Sequence, residues 1–416
     1  MEGNIAWMMV SAALVLFMTP GLALFYGGMD RSRNVLNMLM MNFWCILTIP
    51  VLWMAVGWSL AQVPFENDII GNFDQAFLDG IGILGEDGGL TMATIAYLGM
   101  FACITPALIS GAVAGRMKFS AWAIFAPVWF LLVYVPVFKW VFGGFLGQRG
   151  SLDFAGGTAI HVNAGIAALA AVLALGKRKG WPREGHPPHS MPLVMIGTGI
   201  LWFGWFGFNA GSAGFANGQA AQAFMNTFLA AAAAGLAWAL IEKIRDGHIT
   251  NLGAASGIVA GLVAITPAAG FVSGIAPVII GLLAGVICCF AVKMKFKAGF
   301  DDALDVVGVH FVGGLVGSMS VGLFANPDFF ANENFLVSGF KEGLFYGGGA
   351  GLLGEQALAN GVTIVYSFIV TYLIMLALKA TIGIRVTDEE ENMGLDSVEH
   401  GETAYHSGDV SMGRQS

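Results

Sequence analysis

The chain has 416 residues, of which 11% are charged and 56% apolar, where soluble domains carry about 25% charged residues. Its length would suit two or three soluble domains, but so little charge excludes them, and 59 glycines suit helices packed backbone to backbone in a membrane. The net charge of −8 arises from clustered acidic residues, and the surroundings to expect are a lipid bilayer, with no nucleic-acid partner.

Met1-Glu-Gly-Asn leads directly into the first apolar run, without the basic start and small-residue site of a cleaved leader. Apolar runs predict eleven spans, near residues 5–27, 35–62, 91–114, 119–143, 156–175, 192–212, 221–241, 252–267, 276–293, 303–325 and 359–382. Basic residues follow the odd-numbered spans: Arg31 and Arg33, Arg116 and Lys118, Lys177 to Lys179 with Arg183, Lys243 and Arg245, Lys293 to Lys297, then Lys379, Arg385 and Arg414. Only Lys139, Arg149 and Lys341 lie on the other face. Positive charge marks the cytoplasmic side. The expectation is an all-α polytopic protein of the cell (plasma or inner) membrane, N-terminus outside and C-terminus cytoplasmic. Residues 1–385 form the membrane domain and 386–416 a cytoplasmic tail.

The loop at 63–90 holds Glu66, Asp68, Asp74, Asp79, Glu86 and Asp87 and no basic residue, a mouth that would concentrate cations or simply a solvated loop. Residues 326–358 are glycine-rich and read as a cap without chemistry. Cys45, Cys103, Cys288 and Cys289 fall inside apolar runs at spacings that suggest neither a zinc site nor disulfides, and no cofactor or metal is expected.

Two stretches carry the chemistry. Asp153 opens the fifth run and His161 lies eight residues on; Asp302 and His310 repeat that spacing at the tenth. Eight helical residues rise about 12 Å, and half a hydrocarbon core is about 15 Å, so both histidines are expected near the midplane, each as the other's partner. Spans one to five and six to ten then form two five-helix blocks in an inverted repeat, with an eleventh helix added. Asp302 is the pseudo-symmetric counterpart of Asp153, and both suit helix N-caps. Tyr97 and Phe101 share one face of the third span, and Trp205, Phe208 and Ser212 form one stripe on the sixth. Such stripes usually serve packing, but aromatic faces also attract desolvated cations.

The sequence resembles the ammonium transporter (Amt/Mep/Rh) family on its Amt side, over nearly its whole length. The likeness rests on TPGLALFYGG at 19–28, FACIT at 101–105, LDFAGG at 152–157 with His161, WFGWFGFNAGS at 202–212, GLVAITP at 261–267 and DVVGVH at 305–310. Gly383 to Val386, Gly394 to Asp396, Glu399 to Glu402 and Tyr405 are similar to the family's C-terminal region. The resemblance implies a homotrimer with one pore per subunit, for ammonium or ammonia and also methylammonium. It implies that Phe101 and Phe208 are a stacked gate, that His161 and His310 line the pore as twin histidines, and that Trp205 packs beside the gate. Ser212 would form an outer recruitment site that Asp153 holds together. One departure stands out: Phe142 occupies the place of a second tryptophan that the family usually shows, unless Trp140 takes that role by a local shift.

Ammonium resembles potassium in size and charge but can give up a proton, so a dry gated pore would pass ammonia while the histidines relay the proton. That version carries net charge. The rivals are an ammonium sensor, for which an output domain after the last span would be expected, and an electroneutral gas channel. A membrane enzyme is disfavoured, since no metal cluster, nucleophile elbow or phosphate loop is apparent. In the tail, Ile384, Val386, Leu395, Val398 and Tyr405 are apolar residues spaced to dock on the basic cytoplasmic face. Gly394, Asp396 and Tyr405 are therefore candidate regulatory positions, and the resemblance implies a PII-type regulatory protein as partner.

Overall fold

A computed structural model describes residues 1–61, 68–82, 88–329 and 341–405. Glu66, Glu86, Asp87, Arg414 and the last eleven residues of the tail lie outside them. The regular elements of the described residues are all helices; these residues hold no strand, only an isolated antiparallel bridge between Met117 and Arg385. Among the described residues ten helices are long and apolar enough to cross a membrane. These are α1 (Glu2–Met29), α2 (Val35–Ala61), α3 (Gly88–Val113), α4 (Phe119–Gln148), α5 (Gly157–Leu175), α6 (Met191–Ala213), α7 (Gly218–Asp246), α9 (Ala276–Ala298), α10 (Val307–Phe324) and α11 (Gly351–Thr381). Between α7 and α9 stands the shorter apolar α8, Asn251–Ile265.

One boundary differs clearly from expectation. Helix α11 starts at Gly351 and absorbs part of the glycine-rich stretch read as a cap. Helices α5 and α10 begin at Gly157 and Val307, close to the starts expected from their apolar runs, with Asp153 and Asp302 about a turn before them. The histidines therefore lie about one turn into their helices. They are buried because the irregular segments before them are themselves inside the protein, at Ser151 to Gly156 and Asp301 to Val306.

Glycine sets the closeness of packing. A methyl group added at Gly197 of α6 would lie 2.5 Å from the Phe25 nitrogen of α1, and one at Gly204 would lie 2.7 Å from the Leu14 oxygen. Gly281 and Gly285 of α9 abut the backbones of Ala230 and Ala234 on α7 in the same way. Water expulsion cannot hold helices together in lipid, so close backbone contact supplies the attraction.

After α11 the chain folds back onto the helix bundle. Lys118 donates its backbone N–H to the Ile384 oxygen (3.0 Å) and Val386 donates to the Arg116 oxygen (3.1 Å). Two short helices follow, α12 (Asp388–Met393), begun by a Thr387–Glu390 capping box, and α13 (Leu395–His400). Ile384, Val386 and Leu395 are buried, Val398 is half-buried, and Tyr405 is exposed but 2.9 Å from His189 Nε2. The loops carrying Arg31, Arg33, Arg116 and Lys177 to Lys179 thus gather at the end of the bundle that the tail covers.

Candidate functional site

Each histidine follows a carboxylate that caps its helix. Asp153 accepts from the backbone N–H groups of Gly156, Gly157, Thr158 and Ala159 at 2.7–3.0 Å. Asp302 accepts from Val306 (3.1 Å) and Val307 (2.7 Å). These caps satisfy the first N–H groups of α5 and α10, which lets irregular backbone lie inside a membrane protein. Both helices open with a widened π turn, Gly157–Val162 and Val307–Phe311, and each turn contains its histidine.

The helices cross where a glycine follows each histidine by one turn. Gly165 lies against the backbone of Phe311, the residue after His310, and a methyl added at Gly314 would be 3.0 Å from the nitrogen of Val162, the residue after His161. This reciprocal crossing places the two rings 5.3 Å apart at 20°, with Nδ1 to Nδ1 at 3.2 Å. One ring must donate and the other accept, according to tautomer. His161 Nε2 is buried without a partner among the described residues.

At the end away from the tail, Phe101 and Phe208 stack 4.1 Å apart at 22°. The Tyr97 hydroxyl fixes the second ring's backbone, lying 2.6 Å from the Phe208 oxygen and 3.0 Å from Ser212 Oγ, which itself donates to Phe208 O at 2.9 Å. Beyond the pair opens a vestibule of about 420 Å³, lined by Trp58, Phe138, Phe142, Phe154, Ser212 and Phe215 among others. Behind the pair lie two voids of about 10 Å³ each, room for a water at most. The first is bounded by Phe208, Trp205, His161 and His310, and the second by His310, Tyr26, Ser256 and Asp305. One line therefore runs from the vestibule through the phenylalanine pair, past both histidines, to Asp305.

The tail side is charged. Arg178 grips Asp301 with its guanidinium (2.7 Å) and its backbone N–H (2.7 Å), while buried Arg116 donates to the Asp301 oxygen at 2.5 Å. Burial works against the Asp301 carboxylate, but the Arg178 hydrogen bond and the nearby Arg116 outweigh it and hold it below the usual range. Glu391 of the tail accepts from the Lys179 N–H (2.9 Å) and from Arg385 (2.8 Å). Gly394 has φ +106°, and an added Cβ would lie 2.6 Å from Arg33 Cβ. Asp396 accepts from the Asn37 N–H at 2.8 Å, and burial pushes its carboxyl up.

The model of the Ammonium Transporter Family matches residues 6–405. The chain belongs to the ammonium transporter family. An ammonium transporter of Mycobacterium bovis is 50% identical over 97% of this chain and 90% of its own length. One from Aquifex aeolicus is 49% identical over 97% and 93%. Among solved structures, Saccharomyces cerevisiae Mep2 has a TM-score of 0.84 at 34% identity, covering 93% of this chain and 91% of that one. A sensor Amt protein has a TM-score of 0.87 at 29% identity, covering 96% and 98%.

Within this ammonium transporter fold, three placements correct or refine the residue reading. Trp205 packs beside Phe208 at 5.4 Å, but on the histidine side of the phenylalanine pair and not in the outer vestibule; its ring also stacks on His161 at 5.4 Å and its Nε1 donates to Thr266 Oγ1 at 2.8 Å. Asp153 does not line the vestibule: its carboxylate is occupied by four N–H groups, and it is the neighbouring Phe154 and Ala155 that line the wall. Phe142, rather than Trp140, faces the vestibule. Helix α4 breaks at Phe142 (φ −94°, ψ 57°), while Trp140 points elsewhere, donating to the Ile69 oxygen at 2.7 Å and packing on Tyr366.

Asp305 was not singled out by the sequence. It takes a left-handed φ of +64° and pairs with Lys295 at 2.6 Å, whereas Asp302 is committed to its cap. The repeated aspartate–histidine spacing marks the cap, and nothing in the sequence distinguishes the second carboxylate three residues later. Ser256 and Tyr26 reach the line only through tertiary packing, as does Thr266 its contact with Trp205.

Proposed function

We propose that this protein is an ammonium transporter with one pore per subunit. The carrying observation is a pair of histidines 3.2 Å apart at a void otherwise walled by apolar side chains, behind two stacked phenylalanines. Ammonium enters the outer vestibule, where Phe142, Ser212 and their aromatic neighbours receive it. Past Phe101 and Phe208 there is no room for its water shell. Stripping that shell from a potassium ion carries the full desolvation cost, whereas ammonium escapes much of it by releasing its proton. Ammonia then passes the voids while His161 and His310 relay the proton, so transport carries net charge.

The vestibule faces outward and the tail-covered end faces the cytoplasm, because basic loops gather there. Eleven spans in an inverted repeat fit the reciprocal crossing of α5 and α10. The docked tail supports regulation across a homotrimer and a surface for a PII-type protein. A sensor is the second reading, favoured by the structural likeness to a sensor Amt protein.

The test is current on solid-supported membranes bearing purified protein. Ammonium should evoke a current that potassium does not, and replacing both histidines with leucine should abolish it or convert the pore into a leak of altered selectivity. Wild-type current with intact potassium exclusion in the double variant would end the relay reading. Saturable ammonium binding without current would favour the sensor.

A further inference from the structure

The vestibule is much larger than an ammonium ion needs. An ammonium ion is close to a water molecule in size, and each void behind the gate, at about 10 Å³, matches that scale. The vestibule holds about 420 Å³, within the ~300–1,000 Å³ range of pockets that take whole small molecules. Its walls offer an ammonium ion few hydroxyl acceptors for so large a space. Among the described residues the polar side-chain groups in the lining are the hydroxyls of Thr94, Tyr97 and Ser212 and the indole N–H of Trp58; Tyr97 and Ser212 lie against each other and the Phe208 oxygen, and the Trp58 N–H donates to Gln75. No carboxylate lines it among the described residues.

What the walls do offer is aromatic surface from several directions. Trp58 and Phe215 join Phe138, Phe142 and Phe154, with Phe101 as the floor. Phe138 and Phe142 pack with centroids 4.8 Å apart and ring planes tilted by 50°, forming one continuous wall. The adjoining loop adds a favourable field. Asp68, Asp74 and Asp79 lie in a segment tied to this wall, where Trp58 Nε1 donates to Gln75 at 2.9 Å and the Phe145 N–H donates to the Asp68 oxygen at 3.2 Å. Aromatic rings around a large, weakly hydrated cation are the usual means of binding methylated ammonium groups.

We propose that the vestibule binds quaternary ammonium headgroups, of the choline or tetramethylammonium class, as ligands that are held and not transported. Methyl groups fill the volume and need no acceptors, and the positive charge meets ring faces. Such a cation has no N–H proton to release, so it cannot take the route past Phe101 and Phe208. It therefore occupies the entrance and competes with ammonium. The proposal deepens the transport reading, on which it rests for the direction of entry.

The experiment is isothermal titration of tetramethylammonium and of choline into purified full-length protein at fixed ionic strength, paired with ammonium-evoked current on the same preparation. Expected are saturable binding that ammonium displaces, competitive inhibition of the ammonium current, and no current from either quaternary ion alone. Phe142→Trp should tighten tetramethylammonium by about 2–5-fold, since indole is the stronger π partner, and Trp58→Leu should weaken it by at least as much. If Trp58→Leu does not fold, Phe142→Leu supplies the weakening arm, with melting temperature as the check. Ammonium current without saturable quaternary binding would overturn this inference and leave transport standing. Quaternary binding without ammonium current would do the reverse. Binding that neither substitution moves, in folded variants, would place the ion elsewhere and also overturn it.

Discussion

The starts of α5 and α10 are built alike but open onto different surroundings. Each has an aspartate cap, a π turn that contains a histidine, and a glycine one turn on that receives the other helix. Yet Asp153 holds four N–H groups and adjoins an aromatic vestibule, whereas Asp302 holds two and sits beside Asp301, Asp305 and Lys295. The Lys295 ammonium also donates to the Asp302 oxygen at 2.8 Å. A shared scaffold thus brings two histidines together, while its flanks make one entrance aromatic and the other ionic. The symmetry belongs to the backbone and the asymmetry to what is attached to it.

The sharpest way to break the comparison is at the crossing. Gly165→Val forces a side chain into the backbone of Phe311, and overpacking of this kind costs at least about 1–3 kcal/mol. It should separate the histidines and abolish ammonium uptake in proteoliposomes. Gly314→Val, whose nearest neighbours stand at 3.0 Å, should be milder. Equal losses from the two would mean that the crossing is less lopsided than its contacts.

The caps come next. Asp153→Asn leaves N–H groups facing an amide that accepts through one oxygen alone, at about 1–3 kcal/mol for each one stranded. Asp302→Asn strands fewer, since its two N–H partners go one to each oxygen. Thermal unfolding of the reconstituted protein should rank Asp153→Asn as the more destabilised; the opposite order would contradict the hydrogen-bond count.

Changes at the tail should touch only the ionic half. Gly394→Asp meets a left-handed backbone, costing about 1–2 kcal/mol, and places Cβ against Arg33. Limited proteolysis should then cut between residues 386 and 405 more readily. Protection equal to wild type would show that the tail accommodates the change.

The smallest effect expected is one of pH. Because the folded Asp301 carboxyl is held below its usual value, its stabilising link to Arg178 is fully present above the unfolded value of about 3.9. That contribution should fade only as pH falls from there through the lower folded value. Asp301→Asn should remove this acid limb from a profile of tail protection against pH. A limb that persists in the variant would assign it to another carboxylate.

Much of this molecule was legible in its residues. Low charge and long apolar runs fixed a bundle of membrane helices, because a chain in lipid must satisfy its backbone within each helix. The repeated aspartate–histidine spacing marked the two helix starts, and the apolar residues of the tail announced that it would dock, as Ile384, Val386 and Leu395 do. Periodicity could not say which side of Phe208 would hold Trp205, or which of Trp140 and Phe142 would face the vestibule. The first depends on how α6 sits against α5, and the second on a helix break at Phe142 that turns neighbouring rings to opposite sides. Nor could it tell Asp305 from Asp302, since a carboxylate's role depends on what surrounds it: backbone N–H groups for one, a lysine and a void for the other. Sequence determines which groups are costly to bury alone; only the tertiary structure decides which partner relieves each of them.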